Sequence, residues 1–332
     1  ISSTLNGGDG IETSSFRLPI LLYEDYDADW NPATVWYYNT SDETEPAGKV
    51  VECISNNNYP FDYALTAPLA AGDSVEVHDP VAAKMYLTFT DVLYVTLTPL
   101  DFSVETEWYK ISGKAQVGYS GEPLSMGISA DGDNLFVGFK NGKFFRVSNL
   151  NTVVDAATGT YTNASCQVVT TPITLSVNGT NISQCVTSVS VDPRDANKVV
   201  ATCGNYGNEC YVFYSTNALS ESPEFFSVQG NLPKMPVYSS LIERETGDVI
   251  IGTERGIYRT KNITAANWIA DSKMLGEVPV MELKQQLLSQ EDKQTVKITD
   301  DGTFITDYPG VHNTGIIYEI EIGRAVQQEC RD

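Results

Sequence analysis

The sequence predicts an all-β fold, a β-propeller of about six to seven four-stranded antiparallel blades. Three observations carry this. Short apolar, β-branched and aromatic runs recur along the 332 residues, separated by turns rich in Gly, Asn, Asp and Pro. An outward strand recurs as Trp36-Tyr-Tyr, Leu93-Tyr-Val, Phe144-Phe-Arg, Val212-Phe-Tyr, Ile257-Tyr-Arg and Ile317-Tyr-Glu, with starts 57, 51, 68, 45 and 60 residues apart. Only residues 283–297 (LKQQLLSQEDKQTVK) are patterned like a helix, which reads as a loop insertion. A small sheet at this period cannot bury both faces alone, so its neighbours must cover it.

Residues 1–15 read as a flexible polar lead-in, and the start at Ile1 as that of a mature or proteolysed piece of a longer secreted protein or, equally, of an artificially trimmed chain. Residues 16–323 make the propeller, and 324–332 a tail. Phe16–Tyr23 and Thr34–Tyr38 are strands. Residues 49–82 are a β-rich elaboration between blades, and they or chain ahead of Ile1 could supply a seventh blade. Lys84–Phe89, Val92–Thr98 and Trp108–Ile111 form the next antiparallel set. Leu124–Ser129, Leu135–Phe139 and Lys143–Ser148 follow, the last two joined at Asn141-Gly142, a hairpin signal because both residues tolerate positive φ. Then come Cys185–Val191, Lys198–Thr202 and Tyr211–Ser215. The cleanest copy is Val237–Trp268: three short strands, a polar turn over Glu243–Asp248 closed by Gly247, and an anchoring tryptophan. Val278–Lys284, Gly302–Thr306 and Gly315–Ile322 end the series.

The formal charge is −22 with only 21 basic residues and no basic run, which argues against nucleic acid and anionic membranes. No apolar window is long enough to span a bilayer. None of the six cysteines forms a CxxC pair, so a zinc site is not expected. Cys203 and Cys210 bracket one glycine-rich turn, and Cys166 and Cys185 bracket another hairpin. Each pair could close a disulfide or remain as buried thiols.

Several strands run into a turn with Ser or Thr near Asn or Asp: Tyr214-Ser-Thr-Asn217, Arg259-Thr-Lys-Asn262 ahead of Trp268, and Thr98-Pro-Leu-Asp101 ahead of Trp108. These turns resemble a degenerate Asp-box of sialidase-type and sortilin-type propellers, without its glycine. Over about 185–322, the segments VTSVSVDPRDANKVVATCGNYGN, GNLPKMPVYSSLIE and VIIGTERGIYRTKNI resemble secreted bacterial propellers of the YVTN- or WD40-repeat-like kind, many of them exported by type IX secretion. The resemblance implies a fold and an extracellular or outer cell-surface location, and no particular activity.

Asp25, Asp27, Asp29 and Asn31 place oxygens on alternate residues, as in the first half of a calcium loop. Trp30 and Trp36 stand where that loop needs glycine and glutamate, and a solvated acidic loop is the competing reading. No other cofactor is expected. With eight arginines, a sialidase-type arginine cluster is not expected. A glycosidase of another kind needs two facing carboxylates, for which Glu254 and Asp25 are the acids to test. His78 and His312 stand alone in turn-like contexts, and the sequons at Asn39, Asn163, Asn178, Asn181 and Asn262 read as turn composition. Tyr206, Tyr238, Tyr308 and Trp30 are candidate binding aromatics in loops or at strand starts. The expectation is a non-catalytic binding or scaffold module for a protein or glycan, with a two-carboxylate glycoside hydrolase as the alternative.

Overall fold

The computed structural model describes residues 5–6, 18–28, 31–101, 104–113, 118–155, 158–162, 167–271, 276–285 and 317–320. The chain divides into two compact units, Ile1–Val137 with Phe145–Pro172, and Gly138–Phe144 with Ile173–Asp332. Among the described residues four sheets carry the antiparallel four-stranded meander of a propeller blade, and the class is all-β. Among the described residues no helix is long and apolar enough to cross a membrane.

In the first unit the first blade runs Ile20–Asp25, Ala82–Thr88, Val92–Thr96, Trp108–Gly113, with Leu5–Asn6 added in parallel beside Trp108. Ala82–Thr88 is covered on both faces, so its period-2 alternation leaves almost nothing exposed. The second blade runs Pro123–Ile128, Asn134–Phe139, Phe144–Ser148, Val169–Ile173, with the hairpin tip Gly138–Phe144 grouped in the other unit. At that tip only Gly142 has positive φ, at 80°. Asn141 contributes through its side chain instead, accepting from the Lys143 N–H at 3.1 Å. This is the three-residue loop with glycine in the left-handed position, not the two-residue turn expected.

Asp25 pairs with Ala82, and everything between them is an insert. It is built of two nested hairpins, Thr34–Tyr38 with Ser74–His78 and Val50–Ile54 with Pro60–Ala64. Its own core holds Val35, Val51, Cys53, Leu65, Leu69 and Val77. Asn31 clamps the base, donating to the Asp79 and Val81 carbonyls at 3.0 and 3.2 Å. Asn39 does the same higher up, toward Glu43, Leu69 and Ala70. The insert therefore spans 26–81 rather than 49–82, and Trp36-Tyr-Tyr belongs to it, not to a blade. Alternation marks a half-buried strand, and only the pairing with Ser74–His78 says which sheet owns it.

The second unit holds the third blade, Val186–Asp192, Asp195–Cys203, Val212–Ser215, Phe226–Ser227, and the fourth, Val237–Ile242, Val249–Thr253, Gly256–Thr260, Ile269–Ala270. Glu282–Gln285 pairs with Ile317–Ile320, so the start of the expected helix-like patch is extended. Residues 286–297 lie outside the described residues, as do Gly302–Thr306 and the tail. Side chains of the third and fourth blades share one cluster, including Tyr211, Tyr214, Val237, Ile251 and Trp268. Their first strands are stitched by Ser188 and Ser190, whose hydroxyls accept from the Ser240 and Ile242 N–H groups, each at 3.1 Å.

The Glu243–Asp248 turn forms as expected, with Gly247 at φ 75°. Burial pushes the Glu243 carboxyl up. Hydrogen bonds from Thr246, Glu245 and Gln285 outweigh that and bring it down to about 2, from an ordinary 4.5. A depressed carboxylate stabilises the fold fully above pH 4.5, and the contribution is lost as pH falls toward 2. Glu243→Gln is expected to shrink the loss of urea stability between pH 5 and pH 2 by about 1 kcal/mol, since the site is partly solvated. An unchanged acid limb would contradict this.

Candidate functional site

Two of the three turns resembling Asp-boxes, at Asn217 and Asn262, are structural locks. Ser215 accepts from the Asn217 N–H at 3.2 Å, and the Asn217 carboxamide accepts from the Glu224 N–H at 2.9 Å. In the fourth blade Thr260 accepts from the Asn262 N–H at 3.3 Å, and Asn262 accepts from the Ala265 N–H at 3.3 Å. Strand-end hydroxyl and following asparagine thus repeat one device.

Two residues that the sequence suggested for separate roles meet in the fourth blade: the Tyr238 hydroxyl donates to Glu254. Tyr238 stands near the start of Val237–Ile242, and Glu254 follows Val249–Thr253, the strand paired with it. The adjoining Arg255 binds Glu277, and Arg259, farther along in Gly256–Thr260, lies 3.6 Å from Asp271. Asp25, the proposed second acid, belongs to the other unit.

At the foot of the insert Asp25 accepts from the Asp27 N–H at 3.2 Å, an Asx turn. The Asn31 side chain is committed to the insert's base through both its oxygen and its nitrogen. Among the described residues no group of three or more His, Cys, Asp or Glu is arranged to hold a metal ion. Asp29, Trp30, Tyr308, His312 and Cys166 lie outside the described residues. Tyr206 is exposed in the turn bracketed by Cys203 and Cys210, Cys185 is buried, and Cys203 and Cys210 are buried free thiols. The 203–210 disulfide is therefore absent. Burial pushes the Cys203 thiol well up, and the neighbouring Cys185 and Cys210 add to this.

Lys84, unremarked in the sequence, is 1% exposed in the first unit. Its ammonium donates to Asn151 at 2.9 Å. Burial pushes it down to about 8, against the pull of Asp133 and Asp25. It helps line a cavity of about 380 Å³ with Asn31, Asn57, Asp79 and Asp101. In the second unit an open groove of about 530 Å³ runs past Asn178, Asn181, Phe225 and Phe226.

The insert's outward face is the other feature the sequence did not single out. Thr34, Trp36 and Tyr38 lie opposite His78, Glu76 and Ser74. Trp36 is 55% and Tyr38 60% exposed. Thr34 donates to Glu76 at 2.6 Å, and His78 Nε2 donates to the Asn31 carbonyl at 2.7 Å.

No family model and no curated protein matches the chain. Among solved structures it is similar to the β-propeller domain of Cps50 (Swd1) from Myceliophteria thermophila, at 11% identity and TM-score 0.39 over 63% of this chain and 56% of that one. It is similar to the RRP9 WD40 repeats at 10% identity and TM-score 0.39, over 77% of this chain and 58% of that one. It is also similar to the GH74 xyloglucanase from Xanthomonas campestris at 15% identity and TM-score 0.34, over 49% of this chain and 25% of that one. The chain thus spans little more than half the length of the first two.

Proposed function

We propose that this chain is a non-catalytic binding or scaffold module, secreted or displayed on the outer surface of a bacterium, with a protein or glycan as its partner. The observation that carries this is the insert. A self-cored β-module projects from one hairpin of a blade and turns an exposed aromatic pair to solvent. Exposed aromatics on a rigid sheet give contact area at low entropic cost, and ordinary stability needs bury them. The resemblance of the 185–322 segments supports the location and an export route of the type IX kind. The test is cross-linking on intact cells. The wild-type chain is expected to capture a surface partner, and a chain with residues 26–81 replaced by a two-residue turn is expected to lose it. Equal capture by both would refute the reading.

The Tyr238–Glu254 hydrogen bond keeps a glycoside hydrolase as the second reading. Such an enzyme needs a second carboxylate about 5–10 Å away. On the binding reading, Glu254→Gln and Tyr238→Phe leave release of reducing sugar from a glycan panel at background, the level of the wild type. Wild-type release that falls by two orders of magnitude or more in Glu254→Gln would establish the enzyme instead.

A further inference from the structure

We propose that the outward face of the insert is a recognition site for a neutral glycan chain, with Trp36 and Tyr38 as its stacking platform. This rests on the reading of the chain as a binding module and names the partner of that face. Residues two apart on a strand point the same way and stand about 7 Å apart. The pair therefore presents two aromatic surfaces in a row along Thr34–Tyr38, at 55% and 60% exposure. Among the described residues neither ring packs on another aromatic side chain. A cage for a single cation needs rings that face each other around it. Two rings side by side suit an extended ligand with flat apolar faces and polar edges, which is the shape of a pyranose chain. Its C–H faces lie on the rings, and its hydroxyls reach the polar groups beside them.

Those polar groups come from the partner strand. Glu76 lies opposite Trp36, Ser74 opposite Tyr38, and His78 opposite Thr34. Thr34 holds one Glu76 oxygen, which fixes the carboxylate and leaves acceptor capacity for sugar hydroxyls. Since a carbonyl can only accept, the His78 Nε2 donates to Asn31, which holds the ring in place beside the platform. Electrostatics sets the ligand's charge. Thr34, Trp36, Tyr38, Ser74, Glu76 and His78 include no lysine or arginine, and the chain carries −22. An anionic polysaccharide or nucleic acid would be repelled, whereas an uncharged glycan meets no such barrier.

The test is affinity electrophoresis of the whole chain in gels cast with a β-glucan, a xylan, a mannan or an α-glucan, with alginate and a lysine-rich peptide as charged probes. Retardation by at least one neutral polysaccharide is expected, with none by alginate. Trp36→Ala and Tyr38→Ala are each expected to weaken binding at least tenfold, and Glu76→Gln several-fold. Tyr38→Phe should retain binding, because the ring stacks and the hydroxyl is secondary. Thermal unfolding should stay unchanged in every variant, since both aromatics are exposed, so a folding defect is separable from lost recognition. The proposal is overturned by a panel without retardation, by retardation that survives the Trp36→Ala/Tyr38→Ala double variant, or by binding of the lysine-rich peptide alone. If the panel fails while surface cross-linking still requires residues 26–81, the glycan is wrong and the module stands. If both fail, the module reading falls with it.

Discussion

Trp268→Ala is expected to lower unfolding free energy by about 3–5 kcal/mol, the range for deleting a buried large aromatic. Trp268 is 3% exposed and lies in the cluster formed by the third and fourth blades, with Tyr214, Val228, Leu232, Met235 and Ile251. Removing the indole leaves a void that strands held by their ladders cannot fully collapse into. Its Nε1 also donates to the Val228 carbonyl at 2.9 Å, a bond made in the interior. Backbone anchors remain. Asn231 accepts from the Trp268 N–H at 2.6 Å and donates to its carbonyl at 3.0 Å, so the loop should stay seated and the loss should be one of packing. Trp268→Phe, which keeps most of the ring, should cost less than half as much. Urea unfolding of the three proteins measures both, and a loss below about 1 kcal/mol for the alanine variant would show the site to be slack.

Lys84→Met is expected to act in the opposite direction, raising stability at pH 7 by about 2 kcal/mol. The sign follows from the pKa. Burial holds the ammonium down to about 8 from an ordinary 10.5. Below pH 8 the lysine is charged in both states, and the folded state bears the full cost of desolvation. Between pH 8 and 10.5 the folded state has lost the proton and the unfolded state has kept it, so wild-type stability rises with pH. The stability tied to this group is present above pH 10.5 and is lost as pH falls through 8. Methionine fills similar volume without the charge, so the gain should be largest at pH 7 and fade toward pH 10.5. Asn151, the partner left behind, is exposed and can turn to water. A variant less stable than wild type at pH 7 would mean that the pull of Asn151, Asp133 and Asp25 exceeds the burial cost.

The blades were legible because short strands and turn residues are local signals. The Glu243–Asp248 turn and the Val237–Trp268 unit required nothing beyond neighbouring residues. The insert was not, because Thr34–Tyr38 alternates as a blade strand does while its partner, Ser74–His78, lies far along the chain. For the same reason Trp36 reads as part of a blade strand, and its place on an exposed face of the insert appears only once Val35 and Val77 are seen to take the inner face. Lys84 sits in AAKMYLT, where alternation suggests one wet face, yet the strand is covered on both. Tyr238 and Glu254 were each visible as candidates, but their hydrogen bond depends on the register of two strands, which includes a shift between Val237 and Ser239. The Cys203–Cys210 spacing permitted a bridge. Both thiols are free in the fold, because spacing alone does not decide pairing.

The nesting of the insert also orders the folding reaction. The Asp25–Ala82 pairing joins residues far apart in sequence, and closing so long a loop early is entropically slow. The turn between Val50–Ile54 and Pro60–Ala64 is expected to close first, because its ends are nearest. That hairpin draws Thr34–Tyr38 toward Ser74–His78, and this second ladder brings Asp25 within reach of Ala82. The chain can thus zip from the tip of the insert down to the blade, turning one slow search into three short ones.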